Sequence, residues 1–168
     1  MRHYKMYEED IQNLLQFMYE AHINTYASPR EVNQKHQLLP PKNAGHIEFL
    51  YTKGPWSYHD SYVGEQNAPG KEIIYYNDQP VWTMSYQSKL HTDDAGTVFE
   101  TYEFLKESLS NNTPEQPFRG PTEYERGDFT YSFIIQQGDI KDFIGKEEIY
   151  YKGKIVYTNH TMGTLIGS

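Results

Sequence analysis

The sequence predicts an α+β fold, an internally duplicated helix-plus-antiparallel-strands unit in which two helices pack on a curved antiparallel sheet. Three observations carry this reading. Two segments show helical apolar spacing, and each is followed by short runs rich in Tyr, Ile, Val and Trp with turn residues between them. Residues 127–163 repeat residues 54–85 with nearly the same order of residue types. No helix-length connection separates neighbouring strand runs, which disfavours a parallel, doubly wound sheet.

Taken in order, residues 8–26 place Ile11, Leu14, Leu15, Met18 and Ala21 at helical spacing, with Glu8, Glu9 and Asp10 in the first turn, where the helix dipole favours anions. Pro29 closes this helix. Residues 28–46 lack periodicity, contain Pro40-Pro41 and Asn43-Ala44-Gly45, and predict a long loop, either a lid or mobile segment or a plain surface excursion. Ile47 opens a set of strands that ends near Leu90. Residues 96–109 return to helical period through Val98, Tyr102, Leu105 and Leu109, and Asn111-Asn112-Thr113-Pro114 stops them. Pro117-Phe118-Arg119-Gly120-Pro121 is a rigid connector into the second set of strands. The expected organisation is a single domain over residues 1–168, its first repeat covering 8–90 and its second 96–168. Two copies are too few for a stacked solenoid.

Alternation sorts the repeated strands into faces. Phe129, Tyr131, Phe133 and Ile135 form an apolar row that predicts the core side, and the matching row is Trp56, Tyr58, Asp60 and Tyr62. A carboxylate therefore stands where the other copy has Phe133. In Gly70-Lys71-Glu72-Ile73-Ile74-Tyr75-Tyr76 and Gly145-Lys146-Glu147-Glu148-Ile149-Tyr150-Tyr151, a charge replaces Ile73. Ile73 and Glu148 thus face outward, and both copies place an acid, Glu72 or Glu147, at the start of an inward row. Such acids serve either as fold residues at the sheet rim, bonded to turn amides or tyrosine hydroxyls, or as a site.

Composition narrows the function. A net charge of −8 argues against nucleic acid or an anionic membrane as a direct partner. There is no cysteine, hence no disulfide or thiolate chemistry, and the polar start Met1-Arg2-His3-Tyr4-Lys5 has no signal-peptide core behind it, so the cytoplasm is the expected compartment. No cofactor is expected, since a Gly-rich phosphate loop is missing. His91-Thr92-Asp93-Asp94 has no second ligand cluster at metal-site spacing and reads as a solvated turn, and Ser57, Ser61 and Ser85 lack a nucleophile-elbow context.

Thr25-Tyr26-Ala27, Tyr58-His59-Asp60-Ser61-Tyr62, Gly70-Lys71-Glu72 with Tyr75-Tyr76, Pro80-Val81-Trp82-Thr83-Met84-Ser85-Tyr86, and Thr113-Pro114 with Pro117-Phe118-Arg119-Gly120-Pro121 occur in an order that resembles the bacterial domain-of-unknown-function family numbered 5680. The likeness runs from the first helix to the end of the chain, and the family's Met-Asn-Tyr stretch is Met84-Ser85-Tyr86 here. The resemblance implies a domain type but no reaction. Some members carry the domain behind a helix-turn-helix module, which implies sensor-like use.

The leading expectation is a ligand-binding module with an aromatic, acid-containing pocket in the first repeat, built from Tyr58, Asp60, Tyr62, Glu72, Trp82 and Tyr86, for a small polar or cationic ligand. An alternative is an acidic inhibitor or adaptor that meets a protein partner through Asp93, Asp94, Asp139 and Asp142. A third reading is an enzyme in which Asp60 and Glu72 divide acid and base roles across one cleft, with no other catalytic residue assigned.

Overall fold

The structure is a computed structural model that describes residues 8–166; the polar start Met1-Arg2-His3-Tyr4-Lys5 lies outside the described residues. Helix α1 spans Glu8–Asn24. Its buried face is Ile11, Leu14, Phe17, Met18 and Ala21, the stripe that its sequence period requires, with Leu15 at the margin. Helix α3 of the final fold spans Ala95–Ser110 and starts on Asp94, whose carboxylate accepts from the Thr97 amide at 2.8 Å. Its buried face is Thr101, Phe104, Leu105, Ser108 and Leu109. That face is rotated from the one predicted through Val98 and Tyr102, which are only partly buried. The rotation follows from Thr101 and Ser108, which bury with the apolar residues; the Ser108 hydroxyl donates to the Phe104 carbonyl.

The described strands are β1 (Ile47–Lys53), β2 (Trp56–Tyr62), β3 (Asn67–Tyr76), β4 (Gln79–Leu90), β5 (Glu123–Arg126), β6 (Phe129–Asp139), β7 (Asp142–Tyr151) and β8 (Lys154–Leu165). They form one antiparallel sheet in the order β1-β2-β3-β4-β8-β7-β6-β5. Each half of the order is a meander of neighbouring strands, and the two meanders join where β4 pairs with β8, from Trp82 opposite Leu165 to Leu90 opposite Tyr157. Tight hairpins make this possible. Asn77 and Asp78 both have positive φ, as do Lys152 and Gly153, which matches the right-handed twist of the flanking strands. Register shifts follow Ile74 in β3 and Ile149 in β7, local bulges at equivalent places in the two meanders.

The fold thus has helices and one eight-stranded antiparallel sheet, and strands dominate it. One correction concerns residues 28–46. This segment contains a short helix, α2 (Arg30–Asn33), so the described residues hold three helices rather than two. It also lies along the free edge of β1 and does not border the cavity described below. The Leu38 amide donates to the Glu48 carbonyl, and the Leu50 amide donates to the His36 carbonyl, both at 2.8 Å. Glu48 holds the segment further by accepting from the Lys42 amide and from Asn43 Nδ2. The segment covers an edge strand that would otherwise expose unpaired backbone groups. Among the described residues no helix is long and apolar enough to cross a membrane.

The core lies on one face of the sheet beneath α1 and α3. Trp82, Tyr58, Tyr131, Tyr157, Phe104, Phe133 and Phe143 are its largest fully buried side chains. Tyrosine outnumbers the other aromatics in the chain, so the core has many hydroxyls to satisfy. Those hydroxyls converge on a few buried carboxylates.

Candidate functional site

Asp60 on β2 and Glu72 on β3 are directly paired across the strands, and both point into the core, where they are 3% exposed. Glu72 does not sit at the sheet rim; it lies mid-strand, flanked by Asp60 and, on the other side, by Met84 of β4. Two carboxylates at adjacent inward positions repel each other, so each needs donors or a proton.

Tyr86 supplies one donor. Its hydroxyl donates to Asp60 Oδ1 at 2.7 Å from a strand two places away. The reach is possible because Gly70, directly opposite Tyr86, has no side chain: a Cβ there would come within 2.3 Å of the tyrosine ring. Helix α1 supplies another. His22 Nε2 lies 2.8 Å from Glu72 Oε2, and Nδ1 lies 2.7 Å from the Pro117 carbonyl. A carbonyl only accepts, so Nδ1 carries a proton, and a second proton must occupy the line between Nε2 and Glu72. Burial pushes the His22 pKa down, but the charge and hydrogen bond of Glu72 outweigh it, and the net direction is upward. Tyr58 stands edge-on to the His22 ring at 5.4 Å, and its hydroxyl also interacts with Glu72. Burial, reinforced by the charges of Asp60 and Glu72, holds both Tyr58 and Tyr86 well above the ordinary phenol range.

Asp60 is left under-compensated. Burial first, and then the charge of Glu72, push its pKa up to about 7, against the pull of Tyr86, His22 and Arg119. It is a carboxyl group that exchanges its proton near neutrality.

These groups form the floor of a cavity of about 360 Å³ between α1, α3 and the first meander. Tyr26, Tyr62, Tyr102 and Phe118 form its walls, and Phe99, Glu103 and Lys106 of α3 border it. Phe99 is 67% exposed, so an apolar ring stands at the rim facing solvent. Tyr58, Asp60, Tyr62, Glu72 and Tyr86 all line this cavity. Trp82 does not. It is fully buried against the adjoining rings of Phe118 and Phe143, the centroid of each lying 6.5 Å from its own, and acts in packing.

Sequence reasoning missed three residues: His22, Asn112 and Arg119. His22 lies on α1 one position after Ala21 of the apolar stripe, and that position was its only signal. Asn112 reads as a helix stop, yet it is buried and lines the cavity with its Oδ1 lacking any partner among the described residues. Arg119, from the rigid connector, reaches across the core. Its Nε and Nη2 donate to the two oxygens of Glu147 at 3.1 and 2.9 Å, and its guanidinium lies 5.8 Å from the centre of the Tyr86 ring. Burial works against its charge, and Glu147 more than offsets it, holding the guanidinium protonated.

Glu147 itself is fully buried and is bonded by Tyr131 at 2.6 Å, Tyr157 at 3.3 Å and Asn159 at 3.0 Å in addition to Arg119. Its neighbour across β6 is Phe133, where Glu72 has Asp60.

The remaining candidate acids lie elsewhere. Asp94 caps α3, and Asp139 accepts from the Lys141 amide in the β6–β7 hairpin. His91 Nε2 bonds to Thr158, and His59 faces the opposite side of the sheet from Asp60, 3.6 Å from Glu48. Among the described residues no group of three or more His, Asp or Glu side chains is placed to hold a metal ion.

The model of the family described as "Domain of unknown function (DUF5680)" matches residues 60–166, which is most of the chain, so this protein belongs to that family. The match opens at Asp60 and takes in Glu72, Tyr86, Arg119 and Glu147, while α1 with His22 lies before it. No curated protein and no solved structure matches the chain.

Proposed function

We propose that this member of the family is a small-molecule-binding domain, sensor-like in its use and cytoplasmic, whose site is the cavity floored by Asp60 and Glu72. The observation that carries this reading is the contrast between two buried carboxylates. Glu147 has every lone pair engaged by fixed donors, whereas the Asp60–Glu72 pair opens onto a cavity and is left short of donors. Burying two acids side by side costs stability, and a site for a ligand is the simplest return on that cost. The same reading takes the two meanders as products of one duplication. The Gly-Lys-Glu-x-Ile-Tyr-Tyr strand occurs in both, and the bulge falls after the Ile in each. One copy then kept Phe133 while the other acquired Asp60.

Thermal-shift screening of a metabolite collection against the wild-type protein and Asp60→Asn tests this. A ligand present at about a hundred times its Kd stabilises the folded state by about 2.7 kcal/mol, a rise of several degrees in Tm. The expected result is such a rise in the wild type that the variant reduces. A collection that shifts neither protein overturns the reading.

A second reading, acid–base catalysis, draws support from the pairing of Asp60 with Glu72 on one face and from the shared proton at His22. Asp60, titrating near neutrality, is the group that would exchange a proton with a bound substrate. Turnover of a compound found by the screen, lost in Asp60→Asn without loss of binding, separates this reading from simple binding. The adaptor reading retains only Asp93 and Asp142 as acids with no role found in the fold, and loss of lysate partners at raised salt is its test.

A further inference from the structure

We infer that the occupant of the cavity is an organic cation, a protonated amine on an aromatic or aliphatic body, whose ammonium group sits on Asp60 and Glu72. This rests on the binding reading above and narrows it to a ligand class.

Three independent features converge on that class. The first is the balance of charge. His22 is held by Glu72 and the Pro117 carbonyl, and Arg119 is engaged by both oxygens of Glu147. Lys106 at the rim is 3.3 Å from Glu103. An anionic ligand would therefore meet Asp60 and Glu72 with no uncommitted positive charge to offset them.

The second feature is the supply of acceptors. Asp60 uses Oδ1 for Tyr86, and among the described residues no donor is bonded to Oδ2. Asn112, 6% exposed, keeps Oδ1 unpartnered while Nδ2 is turned to the Pro117 carbonyl at 3.4 Å. A buried acceptor without a donor costs about 1–3 kcal/mol, and an ammonium with several N–H groups satisfies more than one at once. The third feature is the wall. Tyr26 and Tyr62 meet edge-to-face at 5.9 Å, and with Tyr58, Tyr86 and Phe118 they border the carboxylates with ring surface, which attracts cations and accepts an apolar body.

The protonation sign agrees. The groups facing Asp60 are Tyr58 and Tyr62 on its own strand, Glu72 on β3, Tyr86 on β4, His22 on α1 and Arg119 in the connector, with Tyr102, Glu103 and Lys106 of α3 at the rim. As pH rises through neutrality Asp60 loses its proton, and His22 loses its proton at a value above the ordinary imidazole one. Both changes make the floor more negative, so an amine binds more tightly until it loses its own proton.

The experiment titrates the full chain with phenethylamine, its neutral isostere phenethyl alcohol and the anion phenylacetate, using calorimetry for Kd and NMR of the tyrosine rings for location. The expected result is an amine Kd at least about tenfold below that of the alcohol at pH 8, a ratio that shrinks toward pH 6, with phenylacetate weakest. Asp60→Asn is expected to erase the amine preference while changing the alcohol Kd less than about twofold. The ligand-class ratio is read on the wild-type protein and does not depend on the variant folding. An alcohol or carboxylate that binds as tightly as the amine overturns the cation assignment and leaves the binding cavity standing. Silence of all three compounds at millimolar concentration, with the cavity tyrosines unmoved, overturns both.

Discussion

Glu72 and Glu147 occupy the same place in two strands that read Gly-Lys-Glu-x-Ile-Tyr-Tyr, yet the protein treats them in opposite ways. Around Glu147 the second meander assembles Arg119, Tyr131, Tyr157 and Asn159, and Phe133 closes the cross-strand position. Around Glu72 helix α1 brings His22, and the first meander brings Tyr58, sets a second acid beside it, and leaves the pair facing a cavity. The substitutions are small: Asp60 for Phe133, and Met84 for Asn159. A buried carboxylate alone therefore signals nothing. Satisfied on all sides it ties a core together, and left short beside another acid it becomes a place where a proton or a cation can be exchanged.

Breaking the saturated side has the largest expected effect. Arg119→Ala leaves Glu147 buried with hydroxyl and amide donors but no countercharge, and is expected to cost about 3–5 kcal/mol, read as the midpoint of urea unfolding. A loss below about 1 kcal/mol would show that the tyrosines and Asn159 alone suffice and that the contrast with Glu72 is smaller than the geometry states.

Asp60→Asn probes the other side with the opposite sign. The unfolded chain releases the Asp60 proton near pH 4, and the folded chain keeps it until about 7, so stability falls as pH rises from 4 to 7 and then levels off. The penalty above pH 7 is on the order of 4 kcal/mol, at about 1.4 kcal/mol per unit of pKa. Asp60→Asn is expected to flatten that slope and to leave the protein at least as stable as wild type at pH 8. A destabilised variant with the slope intact would place the titrating group elsewhere.

His22→Gln carries a smaller effect. Because the folded pKa of His22 is raised, its contribution is fully present below the unfolded value near 6.5 and is lost as pH rises through the folded value. The variant is expected to lose about 1–2 kcal/mol at pH 6 and less at pH 9, measured as Tm against pH. The smallest effect is expected from Asp93→Asn and Asp142→Asn, exposed acids outside both clusters, within about 0.5 kcal/mol of wild type.

The period of two along β2, β3, β6 and β7 was enough to put Tyr58, Asp60, Glu72, Tyr131, Phe133 and Glu147 on one face, because side chains in a strand have only two directions to take. The helices and the hairpins were legible for the same kind of reason, since apolar spacing and turn residues are local signals. For residues 28–46 the choice between lid and surface excursion stayed open because no local pattern says that a loop will lie along an edge strand, and Trp82 was placed in the pocket because alternation gives a face but not a depth. His22, Asn112 and Arg119 carried only local signals, a place on a helix, a helix stop and a rigid connector, and none of these foretells a buried polar partner.

The order of residues by itself determined the elements, the hairpin turns and the inward position of each acid, because those depend on neighbours within a few residues. Only the tertiary structure decided which acid met a guanidinium and which met another acid. Arg119 is 28 residues from Glu147, and His22 is 50 residues from Glu72. The charge state of a buried group is set by what arrives from such distances, since in a medium of low dielectric the nearest countercharge outweighs everything the chain places beside it in sequence.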